Sequence, residues 1–438
     1  MLLRWRAEFF FYPLIMSAYS SPLALRDYLK PYLRCLPARQ RRRFYALCRS
    51  VLQSRSSILS RSGRTRLKRK DGMRSRLDNW VKRMSFLLEH LPWKEFQAAH
   101  FRRLRERQDR WQLVLHDMSD IAKPWAEKLE GLSTVHDGST GELVPGYVFC
   151  LSVGVGRHAW DIHPIAAELL NPKAEGFTSG NDTFKKQIGE IIDAQIGKDL
   201  LHVFDRGFDD EKWFQFLDAE KIAWMIRLKD NRIVTFRGEK HPITTVAETL
   251  LTERPMVRDG ITYARSDIGI DVAHDGSGKK IPKETRTYAL VVVRRPQFLR
   301  PMLLLVNGRV QDLREAVQLY ANYLDRWEVE NCIRFAKQSL KTEQMQLRTF
   351  ERLRRFLHLQ MLLVDFLLRE YEKGVRPIGA DLREILLRSI EGDTRILSPY
   401  LLVDHIGDSL HSDQRQCDPD LVPRSSPQLS LLPIMDTE

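Results

Sequence analysis

The chain has 438 residues, with 70 Lys and Arg against 57 Asp and Glu and a formal net charge of +13. That length supports about two or three domains with proper cores, and no stretch reaches the about 18 uncharged apolar residues of a membrane span, so a soluble protein is expected. Cys35, Cys48, Cys150, Cys332 and Cys417 include no C-x-x-C pair, which argues against a zinc site or a disulfide framework and for reduced thiols in a cytoplasmic protein.

The positive charge sits at one end. Residues 1–110 hold 27 Lys and Arg against 8 Asp and Glu, and the rest hold 43 against 49, a pattern that suggests nucleic-acid binding by a basic arm and metal-dependent chemistry in a mildly acidic body. Residues 1–16 are expected to be an unstructured extension. Arg4, Arg6 and the run Phe9 to Met16 imitate a secretory signal, but Glu8 and Pro13 interrupt it; Met16 offers an alternative start. Residues 17–110 read as helices around the basic stretch RSGRTRLKRKDGMRSR. Small helical modules with a basic helix commonly enter the major groove. Arg64, Arg66, Lys68, Arg69 and Lys70 are the expected phosphate contacts, the alternative being a solvated basic face.

Residues 111–230 alternate strands and helices. The apolar run Trp111 to Leu115 ends in Asp117, with Ser119 and Asp120 behind it, and GELVPGYVFCLSVGV reads as a hairpin return to a long strand. HAWDIHPIAAELL continues into an edge region, NDTFKKQIGEIIDAQIG has helical spacing, and Leu200 to Phe204 ends in Asp205-Arg206-Gly207-Phe208. Helix DDEKWFQFLDAE and strand IAWMIRLK follow, an α/β order. Residues 231–307 are short alternating or β-branched runs between Asp-Gly and Gly-rich turns, a β-rich insertion. Residues 308–345 carry a charged helix. In 346–407, TFERLRRFLHLQMLLVDFLLREY reads as a long amphipathic helix that covers the sheet or pairs two protomers. The Ser- and Pro-rich residues 408–438 read as disordered.

The charged helix is the most informative element. Tyr323, Arg326, Glu330 and Lys337 follow the spacing Y-x2-R-x3-E-x6-K, and at about 100° per residue they fall near 0°, 300°, 340° and 320°, on one helix face. Trp327 and Arg334 lie close to that stripe. It suits gripping a phosphate backbone while placing one carboxylate on a metal; the plain alternative is a solvated face of i,i+4 salt bridges. For each strand-end aspartate the plain alternative is a turn or helix cap. In-line displacement at phosphorus uses two divalent ions about 3.5 to 4 Å apart to stabilise the attacking and leaving oxygens. Magnesium prefers oxygen ligands, so Asp117, Asp205 and Glu330 would suffice. Cys332 falls about 200° from Glu330 and is read as a packing residue.

In these motifs and their order the chain resembles the DDE-class bacterial insertion-sequence transposases, whose YREK signature matches Tyr323, Arg326, Glu330 and Lys337. The resemblance implies a ribonuclease-H-like catalytic core interrupted by a β-rich insertion, preceded by a helical basic DNA-binding region and followed by C-terminal helices. It implies catalytic and metal-binding Asp117, Asp205 and Glu330 with two Mg²⁺ ions, Mn²⁺ substituting. Tyr323, Arg326, Lys337, Arg334 and Trp327 would contact DNA. The partners implied are double-stranded DNA, as transposon ends and target, and a second copy of the chain in the DNA-bound complex, in the bacterial nucleoid. The activity implied is cut-and-paste transposition; the alternative is a retired transposase acting as a DNA-binding regulator. Some relatives hold a flipped base on a tryptophan of the insertion. Here the insertion has none, leaving Phe298 and Tyr263.

Overall fold

Residues 21–66, 73–138, 140–158, 160–375 and 399–412 are described in a computed structural model of the chain. The expected N-terminal extension, Lys68, Arg69, Lys70 and the tail beyond Ser412 fall outside them. Five helices come first: α1 (Ser21–Arg34), α2 (Ala38–Ser54), α3 (Leu59–Arg66), α4 (Met73–Glu89) and α5 (Trp93–Arg105). α1 and α2 each bury one apolar stripe, Leu25, Leu29 and Tyr32 on α1 and Phe44, Leu47 and Val51 on α2. The described residues of the basic arm are therefore largely helical.

Twelve strands follow in one mixed sheet: β1 (Leu113–Ala122), β2 (Ser133–His136), β3 (Leu143–Val155), β4 (Ile162–Leu169), β5 (Leu201–Phe204), β6 (Ala223–Arg227), β7 (Ile233–Phe236), β8 (Glu239–Pro242), β9 (Met256–Arg258), β10 (Ile261–His274), β11 (Lys280–Arg294) and β12 (Met302–Val306). Their order is β2-β3-β1-β5-β6-β12-β11-β10-β7-β8, with β4 also on β3 and β9 on β10. β1, β5 and β6 run parallel; β3 and β12 flank them antiparallel. The segment 231–307, expected to be an insertion, thus prolongs the central sheet, because β12 pairs with β6. Its main strands are not short: β10 and β11 form a hairpin of 14 and 15 residues. Nor is it purely β, since Val246, Ala247, Leu250 and Leu251 are buried at helical spacing on a helix over Ile243–Glu253.

Helices α6 (Gly180–Asp193) and α7 (Glu211–Ala219) cover one face of the sheet, burying Phe184, Ile188, Trp213 and Phe214. With the helix over Ile243–Glu253 numbered α8, α9 (Leu313–Leu324), α10 (Trp327–Ser339), α11 (Phe350–Val375) and α12 (Pro399–Ser412) follow among the described residues. α12 runs past Asp408, where the sequence reads as disordered. α11 also differs from expectation: Phe356 to Leu368 are buried without interruption, so it is a central helix and not an amphipathic cover. Its arginines mislead because they are paired: Arg352 with Glu89 at 2.7 Å and Arg354 with Glu168 at 2.5 Å. Around α11 the helices α1 to α5, α10 and α12 share one core with the sheet. No described helix is long and apolar enough to cross a membrane.

Candidate active site

β1 does not stop at Asp117. Its pairing with β3 continues from Asp117↔Leu151 to Ala122↔Gly146, while its parallel pairing with β5 ends at His116↔Phe204. The polar run from Asp117 to Asp120 is a strand because β3 still satisfies its backbone, and the sheet opens on the other side. Asp117 and Asp205 each follow the last parallel pair of β1 and β5, side by side where the two strands part, the kind of place where crevices form in open α/β sheets.

The segment after β5 gives each aspartate a separate task. Asp205 caps a short turn, accepting from the Gly207 amide at 2.6 Å; a Cβ on Gly207 would lie 2.9 Å from the Asp205 carboxylate. Asp209 is buried, accepts from the Lys229 amide at 2.7 Å and pairs with Arg232. Asp210 caps α7 through the Lys212 amide at 2.8 Å. Beneath the carboxylates, His116 Nε2 lies 2.9 Å from His202 Nδ1, and His116 Nδ1 lies 2.9 Å from Ser152 Oγ. Burial drives His116 well below the usual imidazole range, with His202 adding to the effect, and holds His202 at about 4. These uncharged rings tie β1, β3 and β5 together. The sequence analysis missed them, though their place beside the two aspartates was a signal.

Glu330 comes from α10. Tyr323, Arg326, Glu330 and Lys337 do not share one helix: α9 ends at Leu324, α10 starts at Trp327, and between them Arg326 and Val329 donate three residues back, to Tyr323 and Arg326 carbonyls. Tyr323 is buried. The Arg326 guanidinium stands 6.0 Å from its ring and bridges the site, 3.1 Å from Asp117 Oδ2 and 2.6 Å from Glu330 Oε1. Lys337 is 3.0 Å from Glu343 and 3.7 Å from Asp120. Arg334 is exposed and Trp327 half-exposed, while Cys332 is buried. A cleft of about 770 Å³ is lined by Asp117, Ser119, Glu330, Arg334, Lys337 and Lys341. Arg64 is exposed on α3 and Arg66 ends that helix. Tyr263 is buried against Tyr320, which removes it as a surface for stacking a base; Phe298 is half-exposed with Arg295 over its ring at 4.0 Å.

Burial and the neighbouring Asp205 push the Asp117 carboxyl up to about 6, against the Arg326 charge and the Met118 amide. Three carboxylates and one guanidinium leave the site two positive charges short when all are ionised, and the oxygen donors suit a hard divalent cation. Asp117, Asp205 and Glu330 are therefore oxygen donors of the type that magnesium takes. Among the described residues, the tighter group of potential ligands is elsewhere: Asp161, His163 and Glu372, with ligand atoms within 4.8 Å. That group is neutralised from inside the protein, with Arg107 2.5 Å from Glu372 and His163 2.9 Å from Asp161.

Residues 174–365 match the family described as Transposase DDE domain. The match takes in Asp205, Glu330 and Lys337 and begins beyond Asp117. No curated protein matches the chain. Among solved structures the chain is similar to a piggyBac transposase synaptic complex with hairpin DNA, at 10% identity and a TM-score of 0.42 over 77% of this chain and 63% of that one. The chain thus spans less than two thirds of that relative's length. It is also similar to the NurA nuclease from Sulfolobus solfataricus, at 13% identity and a TM-score of 0.25 over 70% of this chain and 95% of that one.

Proposed function

We propose that the chain is a DNA transposase of the DDE class, a reading for which its transposase-type domain over residues 174–365 is the premise. One observation carries it furthest: Asp117 and Asp205 each follow the last parallel pair of β1 and β5, His116↔Phe204, and Arg326 links Asp117 to Glu330. The strand order β3-β1-β5-β6, with three parallel strands and one antiparallel, supports a ribonuclease-H-like core in which β7 to β12, residues 231–307, are an insertion.

Asp117, Asp205 and Glu330 would hold two Mg²⁺ ions, with Mn²⁺ as a substitute, and the metal supplies charge stabilisation on phosphoryl oxygens and a more acidic bound water. Water attacks phosphorus at the element's end, the 3′ oxygen leaves as a hydroxyl, and that hydroxyl attacks a target phosphodiester with no covalent protein intermediate. Arg326 offsets part of the charge of Asp117 and Glu330 in the free protein and turns to DNA phosphate when they are otherwise engaged. Lys337, Arg334, Trp327, Arg64 and Arg66 contact DNA, in a complex that pairs two copies of the chain on two ends.

The test uses the full-length protein with linear DNA carrying the sequences that flank its gene. Strand-specific cleavage with Mg²⁺ or Mn²⁺, absent with EDTA, is the expected result. Binding without cleavage in either metal overturns the enzymatic reading and leaves a DNA-binding regulator.

Two variants probe the cations. In Arg326→Gln, Mn²⁺ titrated calorimetrically without DNA binds more tightly than to the unaltered protein, by about tenfold, because a competing charge in the low-dielectric site has gone. Unchanged Mn²⁺ affinity means that the guanidinium does not compete for the carboxylates. Lys337→Gln weakens DNA binding and lowers the salt slope by about 0.9, one phosphate contact, with little loss of stability because a partly exposed ion pair contributes little. A salt slope equal to that of the unaltered protein assigns Lys337 to its ion pairs with Glu343 and Asp120 alone.

A further inference from the structure

Trp125 is 95% exposed, against 52% for Trp327. A lone surface apolar residue needs no explanation in general, but the backbone that carries this indole is held on both sides. On one side the Lys123 amide donates to Pro145 O at 2.7 Å, and the buried Lys123 ammonium donates to the carbonyls of Glu343 and Met345, the latter at 2.8 Å. Ala126 closes the turn onto Lys123 O at 2.8 Å. On the other side the Glu130 carboxylate accepts from the Phe350 amide at 3.1 Å, and Glu130 O accepts from Tyr147 at 2.8 Å. Pro124 fixes the backbone just before the indole. The ring is presented by an anchored turn that gains nothing from burying it.

Its surroundings are specific. A second cleft, of about 840 Å³, is lined by Lys123, Pro124, Trp125, Lys128, Gln346 and Arg348, and shares Glu343 and Gln344 with the cleft that holds Asp117 and Glu330. Lys128 and Arg348 beside the indole continue the series of Arg334, Lys337 and Lys341 beside the carboxylates. Glu127 is the acidic exception; Glu343 is already paired with Lys337. From Asp117 to Ala122 β1 advances about 17 Å at about 3.3 Å per residue, the length of about five stacked nucleotides at 3.4 Å each. An aromatic face beside a cationic track is the arrangement that binds unpaired strands, the base stacking on the ring while phosphates follow the cations. A blunt duplex keeps its bases stacked on one another and cannot offer one sideways.

We propose that Trp125 is a stacking platform for an unpaired base of the DNA strand that passes from the carboxylate cleft along the end of β1. The inference rests on the DNA-transposase reading and adds to it a place where strands separate.

Binding of full-length protein to fluorescein-labelled oligo-dT and to a labelled blunt duplex, read by anisotropy, tests it. Trp125→Ala weakens oligo-dT binding about tenfold, within the range of one base stacked on one aromatic ring, while duplex binding and the melting temperature stay unchanged. Trp125→Phe and Trp125→Tyr retain most of the affinity, and Trp125→Leu does not. Oligo-dT affinity unchanged in Trp125→Ala, or fully retained in Trp125→Leu, overturns the platform while leaving the transposase reading intact. If the unaltered protein binds neither DNA, both fall together.

Discussion

Asp117→Ala, Asp205→Ala and Glu330→Ala each lose metal-dependent strand cleavage by at least about 100-fold, the cost of misplacing reacting groups by about 1 Å, while retaining DNA binding. Asp117→Asn separates chemistry from folding most sharply. Burial and Asp205 hold its carboxyl at about 6, above the ordinary value, so the charged form is disfavoured in the folded protein. A raised carboxyl opposes folding above that pH, and the opposition is relieved as pH falls through about 6. The amide therefore leaves the metal-free protein at least as stable as before at pH 7.5, although Arg326 loses one of its two carboxylates and keeps Glu330 at 2.6 Å. Loss of cleavage with unchanged or higher melting temperature is the pattern of a site held at a cost to stability. Cleavage within tenfold of the unaltered protein in any of the three alanine variants defeats the carboxylate assignment.

The residues that the sequence exposes are those whose chemistry is local. Asp205 stands out because Gly207 and the apolar run before it mark a strand ending in a tight turn, and Glu330 because four polar residues recur at helical spacing. What the sequence hides depends on distant partners. The run HDMSDIA looks like the end of a strand, yet it stays paired because β3 is longer than β5. The break between α9 and α10 carries no glycine or proline to announce it; Tyr323 packs inward while Arg326 turns to Asp117. α11 looks amphipathic because Arg352 and Arg354 read as solvated, and only the positions of Glu89 and Glu168, far away in sequence, show them to be paired. The same holds for the aspartate at the middle of that helix, a residue that an apolar run makes easy to pass over.

Asp365→Ala destabilises the protein by about 3 to 5 kcal/mol, the range for removing one partner of a buried ion pair. Asp365 is 1% exposed on α11. Tyr28 of α1 donates to its Oδ2 at 2.7 Å, and His163 of β4 places Nδ1 3.7 Å from its Oδ1, an ion-pair separation too long for a hydrogen bond. His163 reaches Asp161 with its other nitrogen at 2.9 Å; His100 of α5 lies 2.9 Å from Tyr32 and 2.8 Å from Pro164 O; and Arg103 stacks 3.7 Å over Tyr28. One carboxylate thus joins two helices of the basic arm, the sheet and the central helix. Burial alone would raise Asp365, but His163, His100 and Arg103 outweigh it and hold it well below the usual carboxylate range. Burial lowers His163, but Asp161 and Asp365 outweigh that and raise it. The Asp365 contribution is present above its unfolded value near 3.9 and is lost only as pH falls below it; the His163 contribution is full below about 6.5 and fades as pH rises through its raised folded value. The cluster is therefore strongest between about pH 4 and 6.5. Urea midpoints of the unaltered protein and Asp365→Ala should differ more at pH 6 than at pH 8.5, and Asp365→Asn, which keeps an acceptor for Tyr28, should fall between them. Equal midpoints, or a gap that widens with rising pH, would show that the arm is fastened to the catalytic body by its apolar packing and not by this charge.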